Sequence, residues 1–119
     1  MFLLIKRFYK PGKKIYQHLH FVDDINIKVD GQRNFDMRHY GYQLENEIFW
    51  NGLFNGWEKI SLQLWSELCE KSETIFDIGA NTGVYALLAK TKKAEAAVYA
   101  FEPVERVYDK LIYNNNLNN

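Results

Sequence analysis

Apolar and polar positions divide the chain into two stretches with different periods. Between Ile15 and Arg38 strand-like alternation dominates: Ile25, Ile27 and Val29 are separated by Asn26 and Lys28, as in a strand with one buried face. Asp30-Gly31 is a turn signal, and Phe35 and Met37 carry the alternation onto a returning strand, so a β-hairpin is expected. Tyr40 to Phe54 is aromatic and expected to be partly helical, with Gly41, Asn51 and Gly52 as breaks. From Asn55 the period lengthens. Trp57, Ile60, Leu64 and Leu68 recur every three or four positions, with Trp65 and Cys69 beside them, predicting a helix over 55–71 with this stripe toward the core. Asn55 is its expected N-cap, with Glu58 three positions on. The run Thr74 to Ile78 suits a buried parallel strand, Val84 to Lys92 a helix and Ala96 to Phe101 a second strand. A last helix would gather Val104, Val107, Tyr108, Leu111 and Ile112 on one face, and the asparagines Asn114 to Asn116 and Asn118 to Asn119 would fray or end it.

Composition narrows the classes. A chain of 119 residues suits one domain, and 47% hydrophobic with 16% aromatic residues can furnish a core. Fifteen basic residues balance fifteen acidic ones, so no global field recruits nucleic acid. Cys69 is the sole cysteine, which excludes an internal disulfide or a cysteine zinc site and suits a reducing, cytoplasmic setting. No apolar run approaches the ~20 residues of a transmembrane span. Lys6, Arg7, Lys10, Lys13 and Lys14 cluster beside Phe8 and Tyr9. A membrane or anionic-glycan contact is conceivable there, with a solvated arm the plainer expectation. His18 and His20 would share one strand face but lack a carboxylate partner, so no metal site is expected.

The chemistry gathers in the turn after the first parallel strand. Gly79, Asn81 and Gly83 alternate with Ala80 and Thr82. Glycine admits positive φ and brings backbone close to a ligand, and asparagine is among the few other residues that tolerate the left-handed region. A β-α-β unit of this kind holds a nucleoside cofactor at the carboxyl ends of its strands. Glu102, followed by Pro103, comes after Gly79 at close to the ~20-residue interval of a ribose-binding acid. A dinucleotide turn is G-x-G-x-x-G, whereas this one is G-x-N-x-G with Asp77 just before it. An acid there is unwelcome beside pyrophosphate and favourable beside the sulfonium and ammonium of S-adenosylmethionine (SAM). SAM is the expected cofactor, with a nicotinamide nucleotide as the weaker alternative.

The segments FDIGANTGVY and VYAFEPVERVYDKLIYNNNLNN resemble the FkbM-type branch of the class I SAM-dependent methyltransferases, over roughly residues 73–119. The resemblance implies a cofactor site of Asp77, Gly79, Ala80, Asn81, Gly83, Tyr85, Glu102 and Pro103. Tyr42 and Glu45 match more loosely a tyrosine and a glutamate near the cofactor; a capped helix start with a solvated acid is the alternative. The implied fold is α/β. A β-hairpin and helices occupy residues 1–55, and residues 56–119 form the first part of a Rossmann-like SAM-binding fold, truncated after its second βα unit. The acceptor would be a hydroxyl on a sugar, glycan or polyketide-like molecule.

Such a fold continues past the second βα unit, so the chain reads as a fragment of a longer protein. The first parallel strand would then keep an open edge. The hairpin could fold over that edge, or another chain could supply it through self-association. The strands that would bring an acceptor pocket and a general base do not follow, and no catalytic residue is assigned. A non-catalytic interaction module that keeps the same turn remains the competing function.

Overall fold

The hairpin forms where the alternation places it. In the computed structural model, which describes residues 1–119, β1 (Asp23–Lys28) pairs antiparallel with β2 (Asn34–His39), Ile25 opposite Met37 and Ile27 opposite Phe35. All four side chains are buried, as is Val29. The turn works through Asp30 more than through Gly31. The Asp30 carboxylate accepts the backbone N–H groups of Gln32 and Arg33 at 3.0 and 2.9 Å, and Gly31 needs no positive φ.

Two short helices precede the hairpin: α1 (Phe2–Phe8) and α2 (Lys13–Tyr16). His18 and His20 therefore lie outside any strand, contrary to expectation, and no group of three His, Cys, Asp or Glu side chains is placed to hold a metal. After β2, Gly41 and Gly52, both at positive φ, bracket α3 (Gln43–Asn51). That helix is buried almost all round and packs Ile48, Phe49 and Trp50 against the hairpin residues.

The next helix, α4 (Lys59–Glu70), corrects two expectations. Asn55 does not cap it: its side chain donates to the Asn51 carbonyl at 3.1 Å and closes the end of α3. The expected core stripe also faces outward, with Ile60 72% exposed and Trp57, Leu64 and Leu68 exposed as well. The helix carries a second stripe at Leu62, Trp65, Ser66 and Cys69, and packing against α5 (Val84–Lys92) selects that one. The Trp65 indole N–H reaches the Tyr85 carbonyl at 2.9 Å and fixes the choice.

The β-α-β unit lies where its sequence predicts. β3 (Thr74–Ile78) leads into α5 and then into β4 (Ala97–Phe101), which pairs parallel with β3, Asp77 opposite Ala100. The chain is thus α/β, with six helices and two separate two-stranded sheets. The hairpin does not extend along β3. It packs on α3, α5 and the last helix, α6 (Glu105–Asn116), and Val84, Leu87 and Leu88 of α5 share its core. One face of the β3–β4 sheet lies under α5; the other leaves Phe76, Ile78, Tyr99 and Phe101 exposed.

The asparagine-rich end of α6 has a structural task. Asn114 is fully buried; its Oδ1 accepts the Arg38 backbone N–H at 2.8 Å, and its Nδ2 donates to the Thr82 carbonyl at 2.7 Å. Asn118 pairs with both backbone groups of Asp36, accepting from its N–H and donating to its carbonyl. Two strand residues span ~6.7 Å and four helical residues ~6 Å, so asparagines four apart match alternate N–H groups of an edge strand. Asn114 of α6 and Asn118 just past its end act as the missing neighbour of β2. The expected apolar face of α6 is covered at Leu111 and partly at Val107, while Val104, Tyr108 and Ile112 stay exposed.

Candidate functional site

The turn between β3 and α5 is built from three left-handed residues in five. Gly79 has φ 80°, Asn81 φ 51° and Gly83 φ 98°, the last serving as the N-cap of α5. The reversal is held from β4: the N–H groups of Gly79 and Ala80 both donate to the Phe101 carbonyl at 2.9 Å. Gly79 is exposed, and a Cβ built on it would meet nothing within 4 Å, so the turn has open space above its first glycine. At Gly83 a Cβ would stand 3.4 Å from Leu111, so this glycine serves close packing of the turn on α6.

Two carboxylates flank the turn. Asp77 is buried on the α5 side of the sheet, and its Oδ2 has no hydrogen-bond partner. Burial pushes its pKa up, opposed only by the backbone N–H of Ala86 in the first turn of α5. Glu102, just past β4, accepts the Asn81 N–H at 3.0 Å with one oxygen and the Val104 N–H at 2.9 Å with the other. It therefore clamps the β3–α5 turn to the β4–α6 turn. A carboxylate can accept about four hydrogen bonds, so each oxygen keeps a free acceptor position. Pro103, between the two clamped segments, is exposed.

Most of the expected site residues are brought together here: Asp77, Gly79, Ala80, Asn81 and Gly83 in one turn, with Glu102 bonded to it. Tyr85 departs from the group. Its hydroxyl donates to Glu58 at 2.8 Å, ahead of α4, because its position on α5 turns it toward that helix. Burial and Glu58 together raise its pKa.

Thr82 within the turn, and Glu45, Asn114 and Tyr42 outside it, hold the turn from below. Thr82, buried between the glycines, donates its hydroxyl to Glu45 at 2.9 Å and its carbonyl accepts from Asn114. Glu45 is 1% exposed, so it is not a solvated acid; its other oxygen accepts the N–H groups of Tyr40 and Tyr42 at the start of α3. Burial raises its pKa as well, against the pull of those N–H groups and the Thr82 hydroxyl. Tyr42 accepts from Lys110 of α6 at 2.6 Å, so it is tied to Glu45 through backbone and to α6 through its side chain. The resemblance loosely matched Glu45 to a glutamate near the cofactor; its bond to Thr82 of the turn is a link that spacing alone does not announce.

A cleft of about 810 Å³ lies between α5, β4 and α6, lined by Ala86, Lys90, Val98, Ala100, Tyr108 and Ile112 among others. It meets the turn only at Gly83. Comparison of the chain with family models, curated proteins and solved structures returned no match.

Proposed function

We propose that this chain binds SAM at the β3–α5 turn, as the cofactor-holding part of a methyltransferase resembling the FkbM type. Its fold would be the first part of a Rossmann-like SAM-binding domain. The observation that carries the reading is the unpartnered, buried Oδ2 of Asp77 beneath a turn with open space over Gly79. A buried carboxylate oxygen without a donor is costly, and a cationic ligand is the chemistry that would offset it. Asp77 would face the positive end of the cofactor, Gly79, Ala80 and Asn81 would form its backbone seat, and the free acceptor positions of Glu102 would take ribose hydroxyls. Bound SAM supplies an electrophilic methyl group; the acceptor is proposed to be a hydroxyl of a sugar, glycan or polyketide-like molecule.

A second reading rests on Glu102, whose two oxygens each already hold a backbone N–H. On that reading the motif is a fastening between turns, within a non-catalytic interaction module. Calorimetric titration with SAM and its demethylated product separates the two. Binding that weakens about tenfold to several hundredfold in Glu102→Gln is expected if the ribose is held there. Asp77→Asn should weaken SAM more than the demethylated product, which lacks the sulfonium charge. Absent or millimolar binding, unchanged by either substitution, would sink the proposal. Competition by NAD would point instead to a nicotinamide site.

A further inference from the structure

The N-terminal arm is the feature that the turn and its support leave unused. Helix α1 is fixed to the body by one side: Phe2 stacks on Phe21 with ring centroids 4.9 Å apart, and the Lys6 ammonium lies 4.6 Å from the centre of the Phe49 ring. At about 100° per residue the opposite side carries Met1, Leu4 and Phe8, with Arg7 at its margin. Those three side chains are 87%, 65% and 82% exposed. A surface helix ordinarily turns its apolar side inward. This one turns it to solvent.

Charge is as lopsided as hydrophobicity. Every acidic residue of the chain lies beyond Val22, whereas Lys6, Arg7, Lys10, Lys13 and Lys14 all precede it. Lys13 has one acidic neighbour, Glu47, at the long distance of 4.0 Å, and stays largely exposed. No helix is long and apolar enough to cross a membrane. Outward apolar side chains with uncompensated cations around them suit the interface of an anionic bilayer, where rings and alkyl chains enter the headgroup boundary and ammonium groups meet lipid phosphates. A nucleic acid or sulfated glycan would engage the cations and leave Leu4 and Phe8 in water.

We propose that α1 and the basic segment after it form a docking surface for an anionic lipid bilayer. The inference does not depend on what the β3–α5 turn binds. It is tested by co-sedimentation of the full chain with vesicles of phosphatidylcholine, with and without about one third phosphatidylserine. Binding to the anionic vesicles alone is expected, weakening about fivefold for each of Arg7→Gln, Lys10→Gln and Lys14→Gln. Leu4→Ser with Phe8→Ser should weaken it more than tenfold with the cations intact. Phe8→Trp should retain binding and give a blue-shifted emission on anionic vesicles. All these side chains are exposed, so an unchanged melting profile is the control for folding. The proposal is overturned if neutral and anionic vesicles bind alike, or if Leu4→Ser with Phe8→Ser binds as the parent does. It is also overturned if that pair instead abolishes a concentration-dependent dimer seen by sedimentation without vesicles.

Discussion

The two small sheets solve the same problem in different ways. The hairpin β1–β2 buries one face in the main core, and its outer edge at β2 is occupied by Asn114 and Asn118. The β3–β4 sheet buries one face under α5 and leaves the other open, with Phe76 57% and Ile78 76% exposed. Parallel strands are ordinarily covered on both sides. One sheet is finished by side chains from a helix; the other keeps an apolar face that α5 cannot reach. Stability therefore belongs mainly to the hairpin side, and the candidate chemistry to the side with surface to spare.

Equivalent truncations on the two sheets give the largest contrast. Met37→Ala should cost about 2–5 kcal/mol, because a fully buried side chain is lost from a packed core. Phe76→Ala, outside that core, should stay within ~0.5 kcal/mol and should reduce the binding of a hydrophobic dye. Urea melts of both variants check the pair, and equal losses would remove the distinction. Next in size is Asn114→Ala, expected to cost about 2–4 kcal/mol because it leaves the Arg38 N–H and the Thr82 carbonyl without partners. Asn118→Ala, at a more exposed place, should cost about 1 kcal/mol. Between the two asparagine variants lies Gly79→Ala, about 1–2 kcal/mol from backbone strain alone, since its Cβ meets no neighbour.

The finest contrast lies in pH. Burial raises the pKa of Asp77 and Glu45, so over a window starting at the unfolded carboxyl pKa the native state holds more protons than the unfolded one. Stability contributed by these two falls as pH rises from ~4 through their raised values. On the hairpin, Asp24 is drawn down first by Arg38 and Asp30 by the Gln32 N–H and Arg33. Their contribution is present above the unfolded pKa and is lost as pH falls through the lowered values. Denaturation across pH 2–7 should therefore flatten on its neutral side in Asp77→Asn and on its acid side in Arg38→Gln.

Much of this was legible because local rules and packing agreed. The strand Thr74–Ile78 and the helix Val84–Lys92 lie where apolar runs and the glycine turn place them, and Asn81 takes the left-handed conformation its residue type permits. Sequence reading failed where two solutions shared one segment. Helix α4 carries two apolar stripes, and only the tertiary contact of Trp65 with Tyr85 decides between them. The same holds for the asparagines of α6: their composition suggests a fraying end, and their meaning depends on an unpaired strand edge distant in sequence. Around the turn, the motif announced Asp77 and Glu102. The resemblance touched Glu45 only loosely and was silent on Asn114; both act through partners more than thirty residues away.

Asn114 has one further consequence. A single amide both seals β2 at Arg38 and suspends the glycine turn through Thr82, so it behaves as a splint between the hairpin and the turn. A ligand that settles onto the turn and stills Thr82 should tighten the far end of that splint too. The exchange of the Arg38 amide hydrogen with deuterium then becomes a remote gauge of occupancy, readable without any methyl acceptor.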